Sequence, residues 1–171
     1  VNIKERLDFS CALFSPTGDL VANAPHVPVH LGSMSESIKT IIRENNETMM
    51  PGDAFLINAP YNGGTHLPDI TLIKPVYDEQ EEEVIFYVAT RGHHADIGGT
   101  VPGSTPAYSK HIKEEGILID NFTLVSKGVF LEEEIYNLLS SGDFPARNIK
   151  QNIADLKAQV AAAEKGSQEL M

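Results

Sequence analysis

Leu7, Phe9, Cys11 and Leu13 recur at every second position, ahead of Ser15-Pro16-Thr17-Gly18-Asp19 and then Leu20-Val21-Ala22. Alternation of period two around a Pro/Gly turn predicts the two strands of a hairpin. From Ser33 to Asn45 the spacing changes, because Met34, Ile38, Ile41 and Ile42 keep helical intervals. Ser33, with Glu36 three positions on, has the form of a capping box, so a helix is predicted over 33–45. Pro51-Gly52-Asp53 signals a turn, Ala54 to Asn58 a short buried strand, and the Gly/Pro-rich stretch from Asn58 to Asp69 an ordered loop. Ile70 to Tyr77 and Val84 to Thr90 are β-rich and flank the acidic run Asp78 to Glu83, a composition suited to an exposed hairpin tip. A second Gly/Pro loop covers Arg91 to Pro106, and Glu132 to Leu139 and Ile149 to about Glu164 are helical in composition. The expected fold is one mixed α+β domain over 1–171. It has six or seven strands in a largely antiparallel or mixed sheet with hairpins, a helix near 33–45 and C-terminal helices.

The chain has 171 residues, 42% of them hydrophobic and 22% charged, which suits one globular domain with its own core. Thirteen basic against twenty-four acidic residues leave a formal charge of −11, which repels a phosphate backbone and excludes a basic groove for nucleic acid. No apolar run is long enough to cross a membrane. Cys11 is the single cysteine, so no disulfide closes within the chain, and the N-terminus lacks the order of a secretory leader. These features predict a cytoplasmic protein with no membrane and no nucleic-acid partner. The chain opens at Val1 and is patterned by Ile3, so it is expected to be a segment of a longer polypeptide.

The chemistry is concentrated in histidine. Five of the six, His26, His30, His66, His93 and His94, lie in Gly/Pro-rich stretches beside predicted strand ends, where side chains can be aimed at a ligand without disturbing a core. In Gly63-Gly64-Thr65-His66-Leu67-Pro68-Asp69 an imidazole and a carboxylate stand three residues apart on a stiffened turn. Such a pair suits Zn²⁺, Mn²⁺ or Fe²⁺, and equally suits a His and an Asp that merely close a turn. In Arg91-Gly92-His93-His94-Ala95-Asp96-Ile97-Gly98-Gly99 adjacent histidines on extended backbone point opposite ways, so one can face a metal while the other orients a carboxylate or touches substrate. Asp96 is open to three roles: ligand, acceptor for an imidazole N–H, or general base. Arg91 either pairs with an anionic substrate group or serves as a structural partner. His26 and His30, four apart around Pro28, share a face if extended and can complete a site begun by the other loops or be buried, hydrogen-bonded core residues. Convergence of these loops on one centre is the working expectation. No Walker loop or dinucleotide fingerprint is present, so the chain shows no ATP site of its own. Ser10, Ser33 and Ser104 lack a nucleophile-elbow context, and Cys11 is expected to be a structural thiol.

Four blocks in order carry a resemblance: Asn2 to Ser10, Ala24 to Met34, Gly63 to Asp69 and Arg91 to Gly99. With Pro102-Gly103-Ser104, Glu115-Gly116 and the tail Asp155 to Ala162, they resemble the hydantoinase B/oxoprolinase family across essentially the whole chain. The resemblance implies a B-type subunit or segment that works beside a hydantoinase A-type ATPase subunit in a hetero-oligomer. The partner uses ATP to activate the substrate, and the B-type part completes opening of a cyclic amide such as a hydantoin or 5-oxoproline. The alternatives are carboxylation of a ketone or a non-catalytic assembly module. It also implies a divalent metal, Zn or Mn, and carries ligand candidacy onto His66, Asp69 and one of His93 or His94, with His30 as a further candidate. The favoured assignment places metal on His66, Asp69, His93 and His30. His94 or Asp96 then moves a proton, and Arg91 meets an anionic substrate group. One departure stands out: the family commonly reads Asn-Asp-Pro-Tyr where this chain has Asn58-Ala59-Pro60-Tyr61, so a carboxylate is missing there.

Overall fold

The structure, a computed structural model, describes residues 3, 7–24 and 28–171, and at 28, 29 and 31 the backbone alone. Seven strands form one antiparallel sheet in the order β2-β1-β5-β4-β3-β6-β7: β1 Phe9–Phe14, β2 Leu20–Asn23, β3 Ala54–Ile57, β4 Asp69–Tyr77, β5 Val84–His93, β6 Phe122–Ser126 and β7 Val129–Phe130. Helices cover both faces: α1 Pro28–Asn45 on one, and α2 Glu132–Leu139 with α3 Ile149–Leu170 on the other. This explains why β3 and β4 read as near-continuous apolar runs, since a sheet covered on both sides needs apolar residues at odd and even positions alike. Phe55, Ile57, Ile73, Tyr87 and Ala89 pack under Met34, Ile38 and Ile41 of α1. Leu56, Ile70, Leu72 and Val88 pack under Ile153, Leu156 and Ala163 of α3 and Ile135 and Leu139 of α2. Among the described residues no helix is long and apolar enough to cross a membrane.

Two boundaries next to the histidine loops differ from the sequence expectation, each for a physical reason. Among the described residues, the helix expected over 33–45 starts already at Pro28, about a turn before Ser33. Proline is tolerated in a first turn, where its missing N–H would have no partner anyway. Ser33 is therefore inside the helix, its hydroxyl donating back to His30 O at 3.2 Å instead of capping, and His30 lies in the first helical turn instead of on an extended stretch. His26 falls outside the described residues. The strand expected to end at Thr90 continues through Arg91, Gly92 and His93, because β5 is hydrogen-bonded on both sides, to β1 and to β4. Two ladders outweigh the poor strand propensity of glycine.

Candidate metal centre

The sheet register builds the site. In the β4/β5 pair Asp69 stands opposite His93 and Thr71 opposite Arg91, while β1 places Ser10 opposite Arg91 on the other side. Alternation sends these side chains to the α1 face, and a slip of one residue would turn the whole set into the α3 core. The loop 58–69 brings the remaining histidine. Asn58, fully buried, donates through Nδ2 to Leu67 O at 2.8 Å and Ile117 O at 3.0 Å, and its Oδ1 accepts from Ile119 N at 2.7 Å. The two glycines allow close approach on both sides. A Cβ at Gly63, whose φ is +91°, would stand 2.2 Å from Ser37 N, and one at Gly64 2.1 Å from Asn58 O. Thr65 and His66 are thereby delivered over the start of β4.

Asp69 is the hub. Its Oδ1 lies 3.0 Å from His93 Nδ1, and its Oδ2 lies 2.6 Å from His66 Nδ1, 2.6 Å from Thr65 Oγ1, which donates to it, and 3.6 Å from His30 Nε2. The rings of His66 and His93 have centroids 5.0 Å apart. The Asp69 and His30 side chains are each only 3% exposed, His93 is 22% exposed and His66 44%, so the centre is buried at its carboxylate and opens to solvent through His66. Burial acts to raise the Asp69 pKa, but the imidazoles of His30, His66 and His93 and the Thr65 hydroxyl together hold it far below the ordinary carboxylate range. The bond to Asp69 raises His93 above the ordinary imidazole value, against its partial burial.

The donor set fits a divalent ion. One ligand atom from each of His66, Asp69 and His93 lies within 4.8 Å of the others. Two ligands about 2.1 Å from one ion stand roughly 3.0–3.5 Å apart. Within that group the imidazole–carboxylate distances are 2.6 Å to His66 and 3.0 Å to His93, just below and at the edge of that span, and His30 stands outside the group at 3.6 Å. Nitrogen and oxygen donors without thiolate suit Zn²⁺ or Mn²⁺.

The other three residues expected at the site have their polar atoms committed elsewhere. Arg91 is fully buried and, among the described residues, hydrogen-bonds to no carboxylate. Its Nε donates to Thr71 Oγ1 at 2.6 Å, Nη1 to His30 O at 3.3 Å and to Ser33 Oγ, and Nη2 to Ser37 Oγ at 3.2 Å and Gly63 O at 2.9 Å. With every donor direction filled by protein, it is placed as a clamp and not as an anchor for a substrate anion. Burial brings its pKa down to about 10, so it stays charged. His94 turns to the opposite face, where its Nε2 lies 3.0 Å from Gln159 Oε1 and its Nδ1 accepts from Asn152 Nδ2 at 3.2 Å. Asp96 closes the Gly98–Gly103 turn, accepting from Gly98 N, Gly103 N and the backbone and guanidinium of Arg147. Burial acts to raise its pKa, and those four donors hold it low, which is the wrong direction for a general base near neutrality.

His94 carries a pH consequence. Burial lowers its pKa, so the folded state resists a proton that the unfolded chain accepts near pH 6.5. Stability from this group is present above that pH and is lost as pH falls below it. Replacing His94 with Gln should therefore shrink the drop in urea midpoint between pH 7.5 and 5.5; an unchanged drop would count against this origin.

The sequence passed over two residues that complete the centre. Thr65 stood in a quoted motif without a role, and Ser10, considered only as a nucleophile, contacts His30 Nδ1 at 3.0 Å. Nothing local marks either one, because both partners are reached through the sheet and α1.

The profile of the hydantoinase B/oxoprolinase family matches residues 1–171, the whole chain. The chain belongs to the hydantoinase B/oxoprolinase family. It is 54% identical to 5-oxoprolinase of Saccharomyces cerevisiae over 98% of its own length and 13% of that protein's. It is 52% identical to 5-oxoprolinase 1 of Arabidopsis thaliana over 96% of its length and 14% of that protein's. The chain thus spans about one seventh of these relatives. Among solved structures, the ATP-dependent caprolactamase of Pseudomonas jessenii superposes with a TM-score of 0.84 at 31% identity, covering 95% of this chain and 27% of that one. In this member of the family, Ala59 is buried in the apolar wall beneath α1.

Proposed function

We propose that this chain is the metal-bearing part of an ATP-dependent enzyme that hydrolyses a cyclic amide of the 5-oxoproline class. The observation that carries the proposal is the buried carboxylate of Asp69, ringed by imidazoles at 2.6, 3.0 and 3.6 Å and open to solvent through His66. His66, Asp69 and His93 would hold the ion, with His30 beside them. A divalent ion there supplies a Lewis acid for a lactam carbonyl. The chain's own groups exclude water from the carboxylate side, keep Asp69 ionised, and leave the half-exposed His66 edge as the approach for a small substrate. Identity of about half to two proteins named 5-oxoprolinase favours a cyclic amide over a ketone. ATP cleavage belongs in this proposal to a hydantoinase A-type segment or subunit, because the chain carries no phosphate-cradling loop.

The test joins this chain to such an ATP-cleaving part and follows glutamate release from 5-oxoproline with ATP. Chelation should stop the release and Mn²⁺ or Zn²⁺ should restore it, and His66→Ala should resist restoration. Full ring opening by the His66→Ala protein would refute the assignment.

A further inference from the structure

We propose that Gln159 is a positioning residue of this centre, gripping the residue beside each of two ligands from the far side of the sheet; the proposal rests on the metal assignment above. Gln159 lies on α3 and is buried. Its Nε2 donates to Ile70 O at 3.0 Å and to Thr90 O at 3.1 Å, and its Oε1 lies 3.0 Å from His94 Nε2. Ile70 follows Asp69 on β4, and His94 follows His93 at the end of β5. Alternation turns Ile70 and His94 to the α3 face as it turns Asp69 and His93 to the α1 face. One amide therefore ties the two strands together directly behind Asp69 and His93, which stand opposite each other in the register.

Two further observations single this residue out. Ile70, Leu72, Leu156 and Ala163 of the same layer form an apolar core, so a side chain serving burial alone would be apolar there. An amide is tolerated because both its N–H bonds and its carbonyl are taken up. The second observation is Gly92, between Arg91 and His93. Its φ lies outside the left-handed region, so the backbone conformation does not require glycine. Space does: a Cβ there would stand 3.3 Å from Gln159 Cδ and 2.8 Å from Ile3 Cδ1. The missing side chain admits the Gln159 amide to the two strands. The main chain completes the grip, since His94 N donates to Pro68 O at 2.8 Å and His93 N to Asp8 O at 3.0 Å. Pro68 and Ile70 are thus held on either side of Asp69, and His94 is held at its backbone and at its ring. Rotation of either ligand-bearing residue about its strand would break one of these bonds. The separation of the two ligands is therefore set by the protein before an ion arrives, and such preorganisation raises affinity.

The experiment titrates Zn²⁺ by calorimetry into this chain, into Gln159→Met, which keeps the length but has no amide, and into Ile153→Val as a control in the core of the same helix. It also records the visible absorption of the three proteins loaded with Co²⁺, whose bands report ligand geometry. A third measurement follows the Gln159 side-chain amide in ¹⁵N spectra of the wild-type chain with and without Zn²⁺. We expect Gln159→Met to bind Zn²⁺ at least about 10-fold more weakly, the lower end of the effect of groups that touch a ligand directly, and to shift the Co²⁺ bands. Ile153→Val should stay within about twofold of wild type, with unshifted bands. The Gln159 amide signals should move on loading, while those of Asn45, bonded to Ile41 O and Asn121 Oδ1, should not. A loss of affinity in Gln159→Met no greater than that in Ile153→Val, or Co²⁺ bands that match wild type, would overturn the role of Gln159 while leaving the metal assignment standing. A wild-type chain that takes up neither ion would overturn both. Should Gln159→Met not fold, the amide signals alone decide, and signals unmoved by loading would overturn the role.

Discussion

Asp69→Asn is expected to strip the protein of divalent metal, giving near-zero metal by plasma emission after dialysis where the wild type retains it. Loss of an outer group costs about 10–100-fold in affinity, so loss of the anionic donor of the His66–Asp69–His93 group should cost more than about 100-fold. The substitution is close to isosteric, and Asn can still accept from Thr65 and donate or accept at an imidazole, so the fold should survive and the measurement remains readable. Acid should produce the same loss in the wild type. As pH falls from 7 to 5, protons compete with the ion for its ligands and release it. Asp69 itself stays ionised in that window, because its pKa lies below the unfolded carboxylate value of about 4. With a depressed folded pKa, its contribution to stability is present above about pH 4 and is lost only as pH drops further. Metal should therefore leave well before this contribution to stability is lost. Retention of metal in Asp69→Asn, or metal content flat between pH 7 and 5, would remove the centre from the chemistry of this chain.

Arg91→Met should destabilise the chain by roughly 2–6 kcal/mol, the cost of leaving two buried carbonyls short of donors. For a domain of this size that is a fall in Tm on the order of 10 °C. The reason is specific. The guanidinium gathers acceptors from β4 (Thr71), from α1 (His30 O, Ser33, Ser37) and from the loop ahead of His66 (Gly63 O), all from a residue on β5. Methionine matches much of the volume but leaves two buried carbonyls with fewer donors, and each such loss costs about 1–3 kcal/mol. Arg91→Lys, with one ammonium in place of a planar fork, should fall between the two. Thermal unfolding followed by circular dichroism checks the series. A Tm for Arg91→Met within a degree or two of wild type would show that the clamp contributes little.

Much of this architecture was legible from residue pattern alone. The Leu7–Leu13 alternation ahead of a Ser-Pro-Thr-Gly turn requires a hairpin because side-chain period two and a reversal leave few other solutions. The acidic run at 78–83 lies between β4 and β5 as its composition demands. The spacing of His66 and Asp69 was informative for a similar reason, since three residues on a rigid Gly-Gly-Thr turn hold two donors together whatever the rest of the fold does. The helix start was not legible, because Pro-Val-His is compatible with extended backbone as well as with a first turn.

The sequence by itself determined which donors exist, which pairs are rigidly close, and that His93 and His94 must face apart, all consequences of local geometry. Only the tertiary structure decided which face of β5 is which. It turned Arg91 and His93 toward α1, where one braces the centre and the other joins it, and sent His94 into hydrogen bonds with Asn152 and Gln159 of α3. It likewise brought Ser10 from β1 to His30, twenty positions away, and folded Asp96 onto Arg147. The difference is one of range. Period two is set by each residue's own backbone, whereas the identity of the layer above a strand is set by which helix finds enough apolar surface to bury there.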